Sequence, residues 1–224
     1  MMARLPTDPE GFIRANTALE TPAMVPEFQL WLATEYVPIW QATESWLEAQ
    51  NVDPPYWAFC WPGGQAVARY LLDNPGAVAG KRVIDFAAGS GVSSMAAAKA
   101  GAASVLANDI DALSLVAARL NAEANGLSLS VSVEDWLAGP DGAPEADVVI
   151  AGDVCYEREM STRALAWLRS HARAGRLVLL GDPGRNYFSA QGLEELARYD
   201  IPTSLQLENR GMRETVVWRV LPHP

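Results

Sequence analysis

The chain is 224 residues long and 50% hydrophobic, enough for one sizeable folded unit with a filled core and too short for two of ordinary size. Its formal charge is −10, and Lys81 and Lys99 are the only lysines among 17 basic residues, which argues against a protein that grips nucleic acid through its phosphates. Two histidines, His171 and His223, leave little scope for Ser-His-Asp or histidine-metal chemistry, and Cys60 and Cys155 give neither a disulfide framework nor a zinc spacing.

No apolar run reaches the ~20 residues of a membrane span, and the opening MMARLPTDPEGF lacks the layout of a signal peptide. A cytoplasmic protein with reduced thiols, no metal site and no membrane or nucleic-acid partner is expected, acting as a monomer. Residues 1–61 read as a helical, aromatic extension packed on a core spanning 62–224. In that extension Phe28, Leu30, Trp31 and Leu32, then Trp40, Trp46 and Leu47, predict short helices broken by Pro22, Pro26 and Pro38. The turn-rich PPYWAFCWPGGQ at 54–65 follows, with Gly63 and Gly64 read as a bend ahead of a helix whose apolar face is Ala66, Val67, Tyr70, Leu71 and Leu72.

From Lys81 onward apolar strands alternate with helical stretches. Strands are predicted at 82–86, 104–108, 129–133, 147–151 and 176–181. Helices are predicted over 92–100 and 112–125, with another around Leu165, Trp167 and Leu168. This rhythm implies a doubly wound α/β fold built on a parallel sheet with right-handed crossovers. The ending departs from it: a helix is predicted over 190–199, then two strand-like runs, 204–208 and 215–220, joined by Asn209-Arg210-Gly211 as a hairpin. A parallel sheet closed by an antiparallel pair is the Rossmann-like architecture of seven-stranded methyltransferases.

Ligands of such sheets bind beyond the carboxyl ends of the strands, and there the sequence places acids. RVIDFAAGSG puts Asp85 before a small-residue turn in which Ala87, Ala88, Gly89 and Gly91 leave backbone bare for a cofactor. Asp109 follows the second strand, where it can accept ribose hydroxyls. Asp135 can receive an adenine amino group, with Trp136 beside it as a flat apolar face, and Gly152-Asp153 follows the fourth strand near the transferred group. A nicotinamide cofactor fits less well than S-adenosylmethionine, because G-x-G-x-x-G requires a third glycine and the run from Gly89 ends at Ser94. Asp53-Pro54-Pro55-Tyr56 matches the tetrapeptide of amino-methyltransferases that act on flipped bases, but it precedes the first core strand instead of following the fourth. A small-molecule or nucleic-acid N-methyltransferase and a cofactor-binding module without catalysis stay open as alternatives.

On YWAFCWPGGQAVARYLLDNP, LANDID, GDVCY and LGDPGR, with LETPAMVPEFQLWL near the start, the chain resembles the family 16 seven-stranded protein lysine methyltransferases. It is most similar among them to those that modify the electron transfer flavoprotein beta subunit. The resemblance implies a SAM-dependent protein-lysine N-methyltransferase in which Trp61 contacts the cofactor, Gly89 and its neighbours cradle its methionine part, Asp109 holds the ribose and Trp136 flanks the adenine. The family's D-x-x-Y falls on Asp153 and Tyr156, the expected catalytic pair, and Ala87 stands where the motif begins with glycine. Trp57 and Arg185 are the expected substrate contacts.

Overall fold

The apolar runs in the middle of the chain become the buried strands of a seven-stranded sheet in the computed structural model, which describes residues 5–34, 55–138, 143–204 and 208–223. In chain order the elements are α1 (Pro9–Asn16), β1 (Ala18–Glu20), β2 (Leu30–Leu32), α2 (Pro62–Asp73), β3 (Arg82–Phe86), α3 (Val92–Lys99), β4 (Ser104–Asn108) and α4 (Ala112–Ala124). They continue with β5 (Ser130–Ser132), β6 (Val148–Gly152), α5 (Arg158–Arg173), β7 (Leu177–Asp182), β8 (Leu193–Pro202) and β9 (Met212–Val220). The sheet order is β5-β4-β3-β6-β7-β9-β8, parallel from β5 to β7, with β9 antiparallel to both its neighbours. The order reverses between β3 and β6, which opens a crevice at their carboxyl ends.

Side chains alternate across each strand and so divide the core. Val83, Val148, Ile150 and Leu179 pack with Val67, Leu71, Met95 and Ala96 of α2 and α3. Ile84, Val149, Ala151, Val178 and Leu180 face the other way, onto Ala164, Leu165 and Leu168 of α5. The end of the α4 stretch is set by Gly126 in the left-handed conformation, φ 67°.

Two expected helices are strands. Residues 30–32 form β2, paired with β1, because α4 holds the segment extended: the Asn121 and Asn125 side chains accept the Trp31 and Gln29 N–H at 2.7 and 2.9 Å, and the Asn125 amide donates to the Gln29 carbonyl at 2.7 Å. Trp40, Trp46 and Leu47 lie outside the described residues. Residues 193–202 form β8, although LEELAR is rich in good helix formers. Pairing with β9 overrides that preference, and a register shift between Glu195 and Ala197 produces the misleading spacing. Leu193 packs on the α5 side of the sheet, whereas Leu196, Ala197, Tyr199 and Ile201 pack on the other. The hairpin therefore joins β8 to β9 instead of starting at 204; residues 205–207 are outside the described set.

Gly63 and Gly64 are not a bend ahead of α2 but its first turn, after Pro62. They press onto the last residues of β6 and β7 so closely that no side chain fits between. A Cβ at Gly63 would lie 2.4 Å from the Gly181 carbonyl oxygen, one at Gly152 2.6 Å from the Gly64 nitrogen, and one at Gly181 2.2 Å from the Gly63 carbonyl oxygen. Gly181→Ala is expected to cost about 2–4 kcal/mol, because both contacting backbones must move. Urea unfolding of the purified variant measures it, and a loss below about 0.5 kcal/mol contradicts so close an approach.

Candidate active site at the strand ends

At the end of β3 the chain turns through Ala87, φ 56°, Gly89, φ 52°, and Gly91, φ 77°. Ala87 thus takes the left-handed conformation that a glycine would supply, at a steric cost of about 1 kcal/mol. The glycines differ in use. A Cβ on Gly91 would meet Ala118 Cβ at 2.8 Å, so Gly91 lets α4 approach, whereas nothing lies within 4 Å of a Cβ on Gly89. The Gly89 N–H donates to Asp109 at 2.9 Å, and the other Asp109 oxygen accepts from the Asp111 N–H at 3.0 Å. Open space above Gly89, beside a carboxylate at the end of β4, suits a ligand carrying hydroxyl and amino groups.

Asp85 sits deeper. Its carboxylate is 2% exposed under α3 and accepts from the Ser94 hydroxyl at 2.6 Å. Burial pushes its pKa up to about 7 against the Ser94 hydrogen bonds, and burial likewise raises Asp109 to about 6.

Asp153 follows β6 with φ 57°, a conformation aspartate tolerates better than most residues. Oδ2 accepts the Gly63 N–H, and Oδ1 accepts Arg185 Nε at 2.7 Å, with Nη2 at 2.6 Å. Burial raises its pKa; the Arg185 charge and these hydrogen bonds oppose the rise.

Three aromatic rings form a row that ends at the Arg185 partner of this acid. Tyr156, 44% exposed, has its ring centroid 5.6 Å from Tyr56, itself 49% exposed, and Tyr56 lies 6.3 Å from Trp61. Trp61 precedes α2, donates its indole N–H to the Tyr56 carbonyl at 2.8 Å and supports the Arg185 guanidinium 5.6 Å above its ring. Burial first, then the nearby Tyr56 and Asp109, push the Tyr156 phenol up to about 12. Tyr156 is therefore a hydrogen-bond donor at neutral pH, within the field of the same Asp109 that ends β4. Helix α5 is capped by the Glu157 side chain, which leaves Tyr156 free of that task.

Three expected contacts are placed differently. Trp57 is fully buried among Ile13, Phe59, Leu113 and Ala117, so it packs the α1–α4 interface and is not a substrate contact; its neighbour Tyr56 reaches the surface instead. Trp136 is 1% exposed, stacks on Trp167 at 6.1 Å and donates to Glu134 at 3.2 Å, so it offers no open face beside Asp135. Exposed Asp135 accepts the Leu137 N–H at 2.9 Å. The apolar surface next to Asp109 belongs to Ile110, 67% exposed. Gly152 is packed under Gly63 and Gly64.

Three further residues complete the site. Asp182, ending β7, accepts the Gly184 and Arg185 N–H at 2.7 and 2.8 Å, and Glu208 takes the far side of Arg185 at 2.7 Å. Tyr56 is the third. Asp182 was legible as one more acid after a strand; Glu208 was not, because its segment read as a strand.

The chain as a whole is similar to known proteins. The ribosomal protein L11 methyltransferase (PrmA) family model matches residues 70–154. The electron transfer flavoprotein beta subunit lysine methyltransferase of Xenopus laevis is 40% identical over 222 residues, covering 96% of this chain and 88% of that protein. The human protein of the same name is 35% identical, covering 96% and 84%. This chain belongs to the electron transfer flavoprotein beta subunit lysine methyltransferase family. Two solved methyltransferases share the fold. A ribosomal protein L11 methylase from Lactobacillus delbrueckii aligns with TM-score 0.52 and 24% identity, covering 72% of this chain and 79% of that one. The magnesium protoporphyrin IX methyltransferase of Synechocystis with bound SAM aligns with TM-score 0.52 and 21% identity, covering 70% and 77%.

In this family member the raised Asp85 carboxyl has a stability consequence. A folded-state pKa of about 7 against an ordinary 3.8 means that the native state keeps the proton where the unfolded chain has lost it, so stability falls as pH rises from about 4 to 7. Asp85→Asn keeps an acceptor for Ser94 and removes that penalty. Urea melts of the two proteins are expected to diverge in the variant's favour between pH 4.5 and 8, by on the order of 2–4 kcal/mol. Parallel curves contradict it.

Proposed function

We propose that this protein transfers a methyl group from S-adenosylmethionine to lysine ε-amino groups, with the electron transfer flavoprotein beta subunit as its protein substrate. The observation that carries the reading is the relationship over 96% of the chain to a protein named for that activity. The donor, when bound, supplies a methyl group activated on a sulfonium sulfur, and an uncharged lysine amine is the nucleophile that fits it.

Asp109 and the open backbone at Gly89 are the groups to hold the donor's ribose and methionine parts, and Ile110 gives its base an apolar surface. Trp61, joined through Tyr56 and Tyr156 to the surroundings of Asp109, is a further contact for the donor, Gly152 lets α2 pack against the strand ends, and Asp85 and Ala87 belong to the turn itself. Asp153 holds the lysine nitrogen, and Tyr156 shapes the channel and orients it with its hydroxyl. A lysine amine has a pKa near ~10.4, and a phenol pushed up to about 12 cannot remove its proton at neutral pH. The amine therefore enters neutral or loses its proton to solvent through the half-exposed Tyr56–Tyr156 opening. Alignment supplies most of the acceleration.

Labelled S-adenosylmethionine incubated with the enzyme and a cell extract, or with purified electron transfer flavoprotein, is expected to label one discrete protein band on lysine. Label in small metabolites or nucleic acid, or binding of the donor without any transfer, defeats the reading. Asp153→Asn is the variant of choice, because Ala would leave Arg185 buried with only one of its two carboxylate partners. It is expected to lower kcat by about 10²-fold or more while donor Kd, measured by calorimetry, stays within about threefold. Undiminished turnover removes Asp153 from the mechanism.

A further inference from the structure

The loop after β7 places one guanidinium between two buried carboxylates. Arg185 Nε and Nη2 hold Asp153 Oδ1 at 2.7 and 2.6 Å, and Nη1 and Nη2 reach Glu208 at 3.1 and 2.7 Å. The Arg185, Asp153 and Glu208 side chains are 16%, 9% and 3% exposed. Three of the five guanidinium N–H groups are thereby hydrogen-bonded, one from each nitrogen, and one face of the group lies over Trp61 at 5.6 Å. The backbone is fixed too, since Asp182 accepts the Arg185 N–H at 2.8 Å. Glu208 is held in turn by Arg213 Nε at 2.8 Å, which ties the cluster to β9. A side chain held between two buried carboxylates and an indole face is better suited to fixing its neighbours than to following a substrate, which favours a positioning role over the expected substrate contact.

We infer that Arg185 is a positioning residue that, braced by Glu208 and Trp61, fixes the Asp153 carboxylate in one orientation. The inference rests on the reading of Asp153 as the holder of the lysine nitrogen. The Gly63 N–H is hydrogen-bonded to one oxygen and the Arg185 Nε–H to the other, with the Nη2 charge 2.6 Å from the same oxygen, so the carboxylate plane is fixed from both sides and the substrate amine is offered the acceptor directions these donors leave open. Lysine cannot replace the clamp, because its point charge lacks the planar fork that spans Asp153 and Glu208.

The charged and titratable groups facing Asp153 are Arg185 and Asp182 from β7 and its loop, Glu208 from the segment before β9, Cys60 from the entry segment and Cys155 from its own loop. Glu208 is a like charge to Asp153, so Glu208→Gln favours the ionised carboxylate while loosening the fork. Orientation and charge therefore predict opposite results for that variant.

Steady-state kinetics of R185K and E208Q with the protein substrate decide the matter. R185K keeps the charge and is expected to lose about 10–100-fold in kcat, and E208Q about fivefold, with KM for S-adenosylmethionine unchanged in both. Wild-type kcat in either variant overturns the inference, as does a loss confined to KM for the protein substrate, the mark of a direct contact. If R185K does not fold, E208Q alone carries the same two outcomes. A wild-type enzyme that transfers nothing to lysine defeats the functional reading only. The coupling is then read without turnover, from the ¹³C-carboxyl titration of Asp153 in wild type and R185Q. A midpoint about one pH unit or more higher in R185Q supports the clamp, and an unmoved one overturns it.

Discussion

The contact on which the site depends is backbone against backbone: the first turn of α2 lies on the ends of β6 and β7 with Gly63, Gly64, Gly152 and Gly181 in between. A side chain at three of these four positions would place Cβ within 2.6 Å of a main-chain atom of the facing segment. The closeness brings the Gly63 N–H to Asp153, and it sets Trp61 and Tyr56, which immediately precede α2, above the strand ends. The PGG, GD and LGD motifs, far apart in sequence, are thus halves of one joint. Looser packing would move the aromatic opening and the carboxylate together.

Around that joint the protein gathers negative charge that it does not neutralise fully. Asp153, Asp182 and Glu208 are all buried, with Arg185 and Arg213 as their ion-pair partners or neighbours. Burial raises Asp85, Asp109, Asp153 and Asp182 above the ordinary carboxylate range, in each case against hydrogen bonds that pull the other way. An apolar core of this size has no structural need for four such groups, since buried ion pairs are weak contributors to stability. Their gathering at the carboxyl edge of one sheet is what a binding site for a cationic, hydroxyl-rich ligand would retain at the expense of stability.

The central sheet was legible because strands buried on both faces read as continuous apolar runs, and β3 and β4 coincide with their expected bounds. The acids at the strand ends were legible for the same reason: once a strand is located, its carboxyl end is too. The edge hairpin was not, because LEELAR carries helical propensity and the bulge at Glu195–Ala197 spaces leucines three apart in a strand. Nor does a sequence say which of two adjacent residues faces the cleft. Trp57 is core while its neighbour Tyr56 is exposed, because burial of the larger apolar ring wins, and Trp136 is buried for the same reason while its neighbour Asp135 is exposed.

The chemistry assigned to this family asks little of a base and much of alignment, and the side chains agree. The Tyr156 phenol is pushed towards its protonated form, and Asp153 is held by a guanidinium and a main-chain N–H. A carboxylate clamped in that way is a good fixed acceptor, since its position cannot relax when a nitrogen approaches. Rigid placement of an acceptor is the form in which such a site can contribute to a displacement that needs no covalent intermediate. A free carboxylate on a flexible loop would accept a hydrogen bond from the same amine without aligning its lone pair. The distance between those two designs is the Arg185–Glu208 brace, which ties the loop after β7 to the segment before β9 and lies outside the cofactor-binding half of the sheet.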